Sequence, residues 1–234
     1  MPLILGVTGS IATGKSLVCQ TLVDLGAVHC DADKLVHRLY DPGTPGFDRV
    51  VAEFGEEVVG PDGYVDRKIL GGKVFGNPEA MRRLTRAMGD INAAIENEIK
   101  GWRETLPPDG AAVMEAVNLI EPGYGRWCDQ VWLVAADRDV ARSRLMARNG
   151  FSAEEADQRL SSQRPWEERA PAADFVIHNN GDIAAVRQSV TDEFNRVRDL
   201  SIAGTLPPTT MIEWWKERTA AMAAAQKAGS SERS

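Results

Sequence analysis

Gly9-Ser10-Ile11-Ala12-Thr13-Gly14-Lys15-Ser16 constrains this chain more than any other stretch. It fits G-x-x-x-x-G-K-[ST], and its flanks fit as well. The apolar run Leu3-Ile4-Leu5-Gly6-Val7 comes just before it and reads as a buried strand. Leu17, Val18, Leu22 and Leu25 follow at helical spacing, and Gly26 stands where a helix stop belongs. Strand, glycine loop and helix in this order make a phosphate cradle. The two glycines let backbone N–H groups turn inward, and the helix N-terminus adds partial positive charge at the same point. In such a cradle Lys15 reaches the β- and γ-phosphates of a nucleoside triphosphate, and the Ser16 hydroxyl ligates Mg²⁺. An ordinary glycine-rich turn is the plainer alternative; the agreement of the pattern with its flanks weighs against it.

A chain of 234 residues holds one large domain, or a core domain with an insertion. Its net charge of -7 argues against broad nucleic-acid binding, which favours a basic surface. A small polyanion is still admissible, because a P-loop concentrates positive potential locally. Cys19, Cys30 and Cys128 share no metal-ligand spacing and read as small buried hydrophobes in a reducing compartment. The start Met1-Pro2-Leu3-Ile4 has no basic leader region, and no apolar run approaches a membrane span, so the expected location is the cytoplasm.

Strand signals alternate with helical patterns, which predicts an α/β fold: a parallel sheet flanked by helices. The expected strands are Leu3–Val7, Ala27–Cys30, Ala111–Glu115, Gln130–Val134 and Phe175–His178. Between the second and third lies a long, mostly helical stretch from Ala32 to Gly110, a candidate substrate domain. Within it, Asn77 as N-cap and Pro78 at the first helical position open a helix expected to run to about Thr105. Ser152-Ala153-Glu154-Glu155 is a capping box for a helix reaching roughly Gln163, and Asp182 to Arg198 reads as the last core helix. From Thr205 the composition changes. A short amphipathic helix beginning at Ile212 is expected, then a frayed Ala- and Ser-rich end from Ala220 to Ser234.

Asp31-Ala32-Asp33 closes the second strand, on the side where open α/β sheets bind ligands. A carboxylate there can take a proton from an attacking hydroxyl, or it can cap the next helix; the pattern supports both equally. Glu115 ends the third strand, where an acidic residue for Mg²⁺ sits in P-loop enzymes; a solvated strand-end glutamate is the equal alternative. Arg142, Arg144, Arg148, Arg159, Arg164 and Arg169 crowd one region and suit a lid over phosphates, although any single one is better explained by helix-surface ion pairs. His29, His37 and His178 lack ligand spacing and read as structural. Trp102, Trp127, Trp132 and Trp166 read as core or pocket wall. Trp214 and Trp215 cannot share one helix face, so one of them is expected to dock.

The ordered series is similar to the dephospho-CoA kinase family. It comprises Gly6–Ser16, Asp31-Ala32-Asp33, Asp41-Pro42-Gly43-Thr44-Pro45, Val65-Asp66-Arg67, Arg144–Gly150 with Ser152–Ala156, Arg159–Gln163, and Asp174–Gly181. The resemblance runs from Leu3 to about Val197. It implies a P-loop kinase domain over about 1–204. The nucleotide core takes about 1–31, 111–140 and 171–204, a helical CoA-binding insertion about 32–110, and a lid about 141–170; an extension follows at 205–234. It implies transfer of a phosphoryl group from Mg·ATP to the ribose 3′-hydroxyl of dephospho-CoA, with no nucleic acid or membrane involved. Gly9 to Ser16 (Gly9, Ser10, Ile11, Ala12, Thr13, Gly14, Lys15 and Ser16) then bind ATP, with Asn179 near adenine. Asp33 is the first candidate for activating the hydroxyl and Asp31 the second. Arg148 is the lid arginine, with Arg144, Arg159 and Gln163 in weaker support. Ser16 ligates Mg²⁺, and Glu115 does so through water. The chain departs from the family pattern at Gly89-Asp90, where a His-Pro pair is usual. It departs again at Glu115-Ala116-Val117-Asn118-Leu119-Ile120-Glu121, where Asp-x-Pro-Leu-Leu-x-Glu is usual. These departures keep two further readings open: a related kinase of another nucleoside or nucleotide, and a non-catalytic nucleotide-binding relative.

Overall fold

The computed structural model describes residues 1–231. In chain order the elements are β1 (Leu3–Gly9), α1 (Lys15–Asp24), β2 (Val28–Asp31), α2 (Ala32–Arg38), α3 (Pro45–Phe54), α4 (Arg67–Val74), α5 (Pro78–Met88) and α6 (Ile91–Thr105). Then come β3 (Ala111–Glu115), β4 (Gln130–Ala135), α7 (Arg138–Asn149), α8 (Ala153–Ser161), α9 (Trp166–Arg169), β5 (Phe175–His178), α10 (Ile183–Ile202) and α11 (Thr210–Ser231). The chain forms two compact units. One is Asp31–Glu98; the other is Met1–Cys30 together with the chain from Ile99 onward.

The larger unit is built on a sheet whose described strands run in the order β2-β3-β1-β4-β5. β1 pairs in parallel with β3, Val7 lying opposite Glu115, and with β4, Gly9 lying opposite Val134. Central parallel strands are covered on both faces and so read as continuous apolar runs; every residue of β1 and of β4 is buried. On one face Leu3, Leu5 and Val7 pack with Val18 and Leu22 of α1 and with Val190 and Phe194 of α10. The glycine loop therefore leaves the sheet at its centre, with the ends of β3 and β4 on either side.

The smaller unit has its own core, with Val50, Phe54, Val58, Leu70, Val74 and Leu84 among its members. Its helices start where short polar side chains can satisfy their first N–H groups. Thr44 caps α3, Asp66 caps α4, and Asn77 accepts from Ala80 N–H at 3.1 Å with Pro78 following. The single helix expected from Asn77 to Thr105 is in fact two. Gly89 takes φ +99° and ψ −156°, a conformation essentially reserved for glycine, so α5 ends there. Asp90 Oδ1 then accepts from Ala93 N–H at 3.0 Å and opens α6.

The C-terminal segment also differs from expectation. α11 continues through the alanines to Ser231 rather than fraying from Ala220, as the high helix propensity of alanine favours; the last part of that expectation, 232–234, lies outside the described residues. The helix is anchored at its start. The Asp174 carboxylate accepts from the Thr209 hydroxyl at 2.6 Å and from Thr210 N–H at 2.8 Å, and Met211 is fully buried. Trp215 is the docking member of the tryptophan pair. A Cβ on Gly123 would lie 2.7 Å from its ring. No helix among the described residues is long and apolar enough to cross a membrane.

Candidate active site

The loop Gly9–Ser16 curls on itself. The Thr13 hydroxyl donates to the Ser10 carbonyl at 2.9 Å, and Lys15 Nζ donates to the Gly9 carbonyl at 2.9 Å. Ala12 at φ +61° and Gly14 at φ +96° make the turn. A cavity of about 650 Å³ opens beside it, lined by Ser10, Ala12, Gly14, Lys15, Ser16, Arg144, Ala147 and Arg148. That volume suits a small ligand such as a nucleotide. Ser16 and Glu115, the metal candidates of the sequence, both carry hard oxygen donors, the ligand type Mg²⁺ takes, and Ser16 lines this cavity.

Three residues brace the loop from far along the chain. Asn179 Nδ2 donates to the Thr13 carbonyl at 2.8 Å. Arg144 in turn donates to Asn179 Oδ1 at 3.1 Å and to the Asn179 carbonyl at 2.9 Å. Gln163 Oε1 accepts from Ile11 N–H at 2.7 Å. Asn179 is 2 % exposed, and its side chain is engaged by the loop and by Arg144, so it braces the loop.

The crowd of arginines separates in space. Arg142 pairs with Asp139 and Asp157, joined at Asp157 by Arg138, and together they tie α7 to α8. Arg164 pairs with Glu168. Arg159 lies over the Phe151 ring, 4.5 Å from its centroid. Arg144 and Arg148 reach the loop cavity, with Arg148 Nε also donating to Asn149 Oδ1 at 2.9 Å.

Arg169, named in the sequence only as one of that crowd, is buried. Its Nη2 donates to Thr8 Oγ1 and to the Val117 carbonyl, each at 2.7 Å. Its Nε lies 3.0 Å from Glu121 Oε1, an ion pair too bent for a hydrogen bond. Burial pulls the guanidinium pKa below its ordinary value, and Glu121 opposes that shift. Thr8 Oγ1 also donates to the Val117 carbonyl, at 3.0 Å. Arg169 thus pins the segment after β3 to the end of β1. Thr8 lies 161 positions away, and no local pattern marks the pairing.

Glu115, at the end of β3, lies 3.0 Å from His29 Nε2. Its carboxyl is held below the ordinary 4.5 chiefly by the hydrogen bond from His29, with burial opposing and with Cys19 and the charge of Lys15 adding to the shift. His29, read as structural, thus bears directly on a candidate site residue. Trp166 stands edge-on to His178 and lines a second cavity of about 530 Å³, with Ile11, Ala141 and Gln163 on its walls. Trp132 and Trp102 are core residues.

In the smaller unit, Asp31 caps α2. Its Oδ1 accepts from Asp33 N–H at 3.0 Å and from Lys34 N–H at 3.2 Å. Asp33 is exposed in the first turn of that helix. The capping reading of Asp31-Ala32-Asp33 therefore belongs to Asp31.

Residues 3–185 match a family model described as dephospho-CoA kinase. A dephospho-CoA kinase from Symbiobacterium thermophilum is 42% identical over 188 residues, which cover 80% of this chain and 78% of the relative. Among solved structures, TT1252 from Thermus thermophilus superposes with a TM-score of 0.68 at 28% identity, covering 84% of this chain and 98% of that one. A dephospho-CoA kinase from Campylobacter jejuni superposes with a TM-score of 0.58 at 28% identity, covering 82% and 96%.

Proposed function

The chain belongs to the dephospho-CoA kinase family, and from that premise we propose how its own residues divide the work. The reaction is ATP-dependent phosphorylation of the ribose 3′-hydroxyl of dephospho-CoA, giving CoA and ADP. The observation that carries the assignment of roles is the cavity where Lys15, Ser16, Arg144 and Arg148 converge on one loop.

The N–H groups of the loop bind the ATP phosphates, and Lys15 leaves the Gly9 carbonyl to meet the β- and γ-oxygens. The family uses Mg·ATP. Ser16 would hold the Mg²⁺ directly and Glu115 through water, and the ion would supply positive charge against the transferring phosphoryl group. The low pKa of Glu115 supports this part, since a carboxylate in an outer shell must be ionised. Arg148, on the cavity wall, covers the transferring group. Arg144 acts through Asn179, holding the loop in shape and the nucleotide side of it with Asn179. Gln163 does the same through Ile11, and Arg159, which lies over the Phe151 ring, is the weaker candidate for the lid. Asp33 takes the proton of the attacking 3′-hydroxyl. Its support is its place in the Asp31-Ala32-Asp33 motif at the end of β2 and its exposure in the first turn of α2.

Purified protein with Mg·ATP and dephospho-CoA should yield ADP and CoA in equal amounts. Lys15→Ala should lower kcat by about 10³-fold. Asp33→Asn should lower it by about 10²-fold or more with ATP affinity intact. Absence of CoA from protein that still binds ATP would overturn this reading, and a near wild-type rate in Asp33→Asn would remove Asp33 from the base role.

A further inference from the structure

Cys19, His29 and Glu115 come from three different elements, α1, β2 and β3. Cys19 Sγ, a ring nitrogen of His29 and a carboxylate oxygen of Glu115 all lie within 4.8 Å of one another. We propose that these three side chains form a site for Zn²⁺, or a similar borderline divalent metal ion, on the sheet edge beside the P-loop, sharing only Glu115 with the shell proposed for the Mg²⁺ of ATP.

The donor set fits this metal and not Mg²⁺. Thiolate sulfur, imidazole nitrogen and carboxylate oxygen are the three ligand types of protein zinc sites, whereas Mg²⁺ takes oxygen. Bond lengths of about 2.3 Å to sulfur and about 2.0–2.2 Å to nitrogen and oxygen place tetrahedral donors roughly 3.4–3.6 Å apart. The His29–Glu115 pair stands at 3.0 Å and the whole set lies within 4.8 Å, so filling the site asks for side-chain shifts, not backbone rearrangement. Charge balances as well: a thiolate and a carboxylate cancel the two charges of the cation, and the imidazole binds neutral. Binding therefore displaces the thiol proton of Cys19, which passes to solvent. Three protein ligands leave a fourth position for water, and solvent reaches the site past the His29 side chain, which is 28% exposed. Cys19 itself is nearly buried in the wall of the core, so the site is framed by rigid elements.

In the empty site the same three groups satisfy one another, His29 and the Cys19 thiol both bonding the Glu115 carboxylate. That network keeps the donors gathered. Cys128 offers no competing site of this kind, being buried with its thiol pushed up to about 12. A bound ion would cross-link α1, β2 and β3 and hold the Glu115 carboxylate.

The test uses the full chain in a non-chelating reductant. Titration calorimetry with Zn²⁺ should show about one equivalent bound at micromolar affinity or better, weakened about 100-fold or more in Cys19→Ala, which retains Cys30 and Cys128. Co²⁺ should give a thiolate-to-metal charge-transfer band in wild type that is absent in Cys19→Ala and altered in His29→Val. Cys19→Ser, closer in size, guards against misfolding of the alanine variant, with circular dichroism checking that each variant is folded. Zn²⁺ affinity that is equal in wild type and in the Cys19 variants, or a Co²⁺ complex without the thiolate band, would overturn the proposal.

Discussion

The P-loop and the joint between α5 and α6 both carry the chain through positive φ, and they are held there by different means. In the loop, Ala12 sits at φ +61° and Gly14 at +96°; at the joint, Gly89 sits at +99°. The joint is closed by its neighbours. Ile91 N–H donates to the Gly89 carbonyl at 3.1 Å, and Asp90 caps the helix that follows. The loop is closed from a distance, by Gln163 on Ile11 and by Asn179 on Thr13, partners 152 and 166 positions away. A glycine followed by an aspartate is enough to specify the joint. The loop needs its motif and also a tertiary scaffold to brace it.

Substitutions should separate the two cases. Gly14→Ala has the largest expected effect: its Cβ would fall 2.1 Å from Asn179 Nδ2, at a φ that L-residues avoid. Strain and the displaced brace together should cost about 2–4 kcal/mol in urea unfolding and weaken ATP binding at least about 30-fold by calorimetry. Asn179→Ala should come next, at about 1–3 kcal/mol, because it removes the donor to the Thr13 carbonyl and the acceptor of Arg144 Nη2, while Arg144 Nη1 keeps the main-chain carbonyl of residue 179. A wild-type ATP affinity in this variant would show that the loop keeps its shape without the distant brace, and the contrast would fail. Gly89→Ala should cost about 1–2 kcal/mol from backbone strain, since its Cβ would meet only the movable end of Arg49 at 3.0 Å. Hydrogen exchange should show the loss in α5 and α6, with ATP affinity unchanged. Ala12→Gly should be smallest, a gain below about 1 kcal/mol in thermal unfolding, because relief of the left-handed strain is partly offset by unfolded-chain entropy.

The departures from the family pattern carry the same lesson. Val117 takes part through its carbonyl, which accepts from Thr8 and Arg169, so the identity of its side chain matters little to that contact. Asn118 is exposed. At Gly89 the substitution matters through the backbone, because the observed turn admits glycine and little else. The capping signals were legible for the physical reason that they are local. Ser152 and Glu155 form the reciprocal box, and Asn77 caps α5. Gly89-Asp90 carried the same kind of signal, a glycine stop followed by an N-cap, but the apolar pattern running on to Thr105 masked it. Arg169 had no such signal. Its partners Thr8 and Val117 lie 161 and 52 positions away, and its burial follows only from the fold.

The sequence by itself determined the strand–loop–helix unit, the alternation that makes a parallel sheet, and the family. Each of these is written in short-range patterns: apolar runs, periodicity, caps and an ordered set of motifs. The tertiary structure decided which arginines stand at the cavity, which of Asp31 and Asp33 caps a helix, and that Asn179 serves as a brace. It also gathered Cys19, His29 and Glu115, which have no ligand spacing along the chain. These outcomes depend on which strand ends and helix faces the sheet order β2-β3-β1-β4-β5 brings together, and spacing along the chain does not encode that proximity.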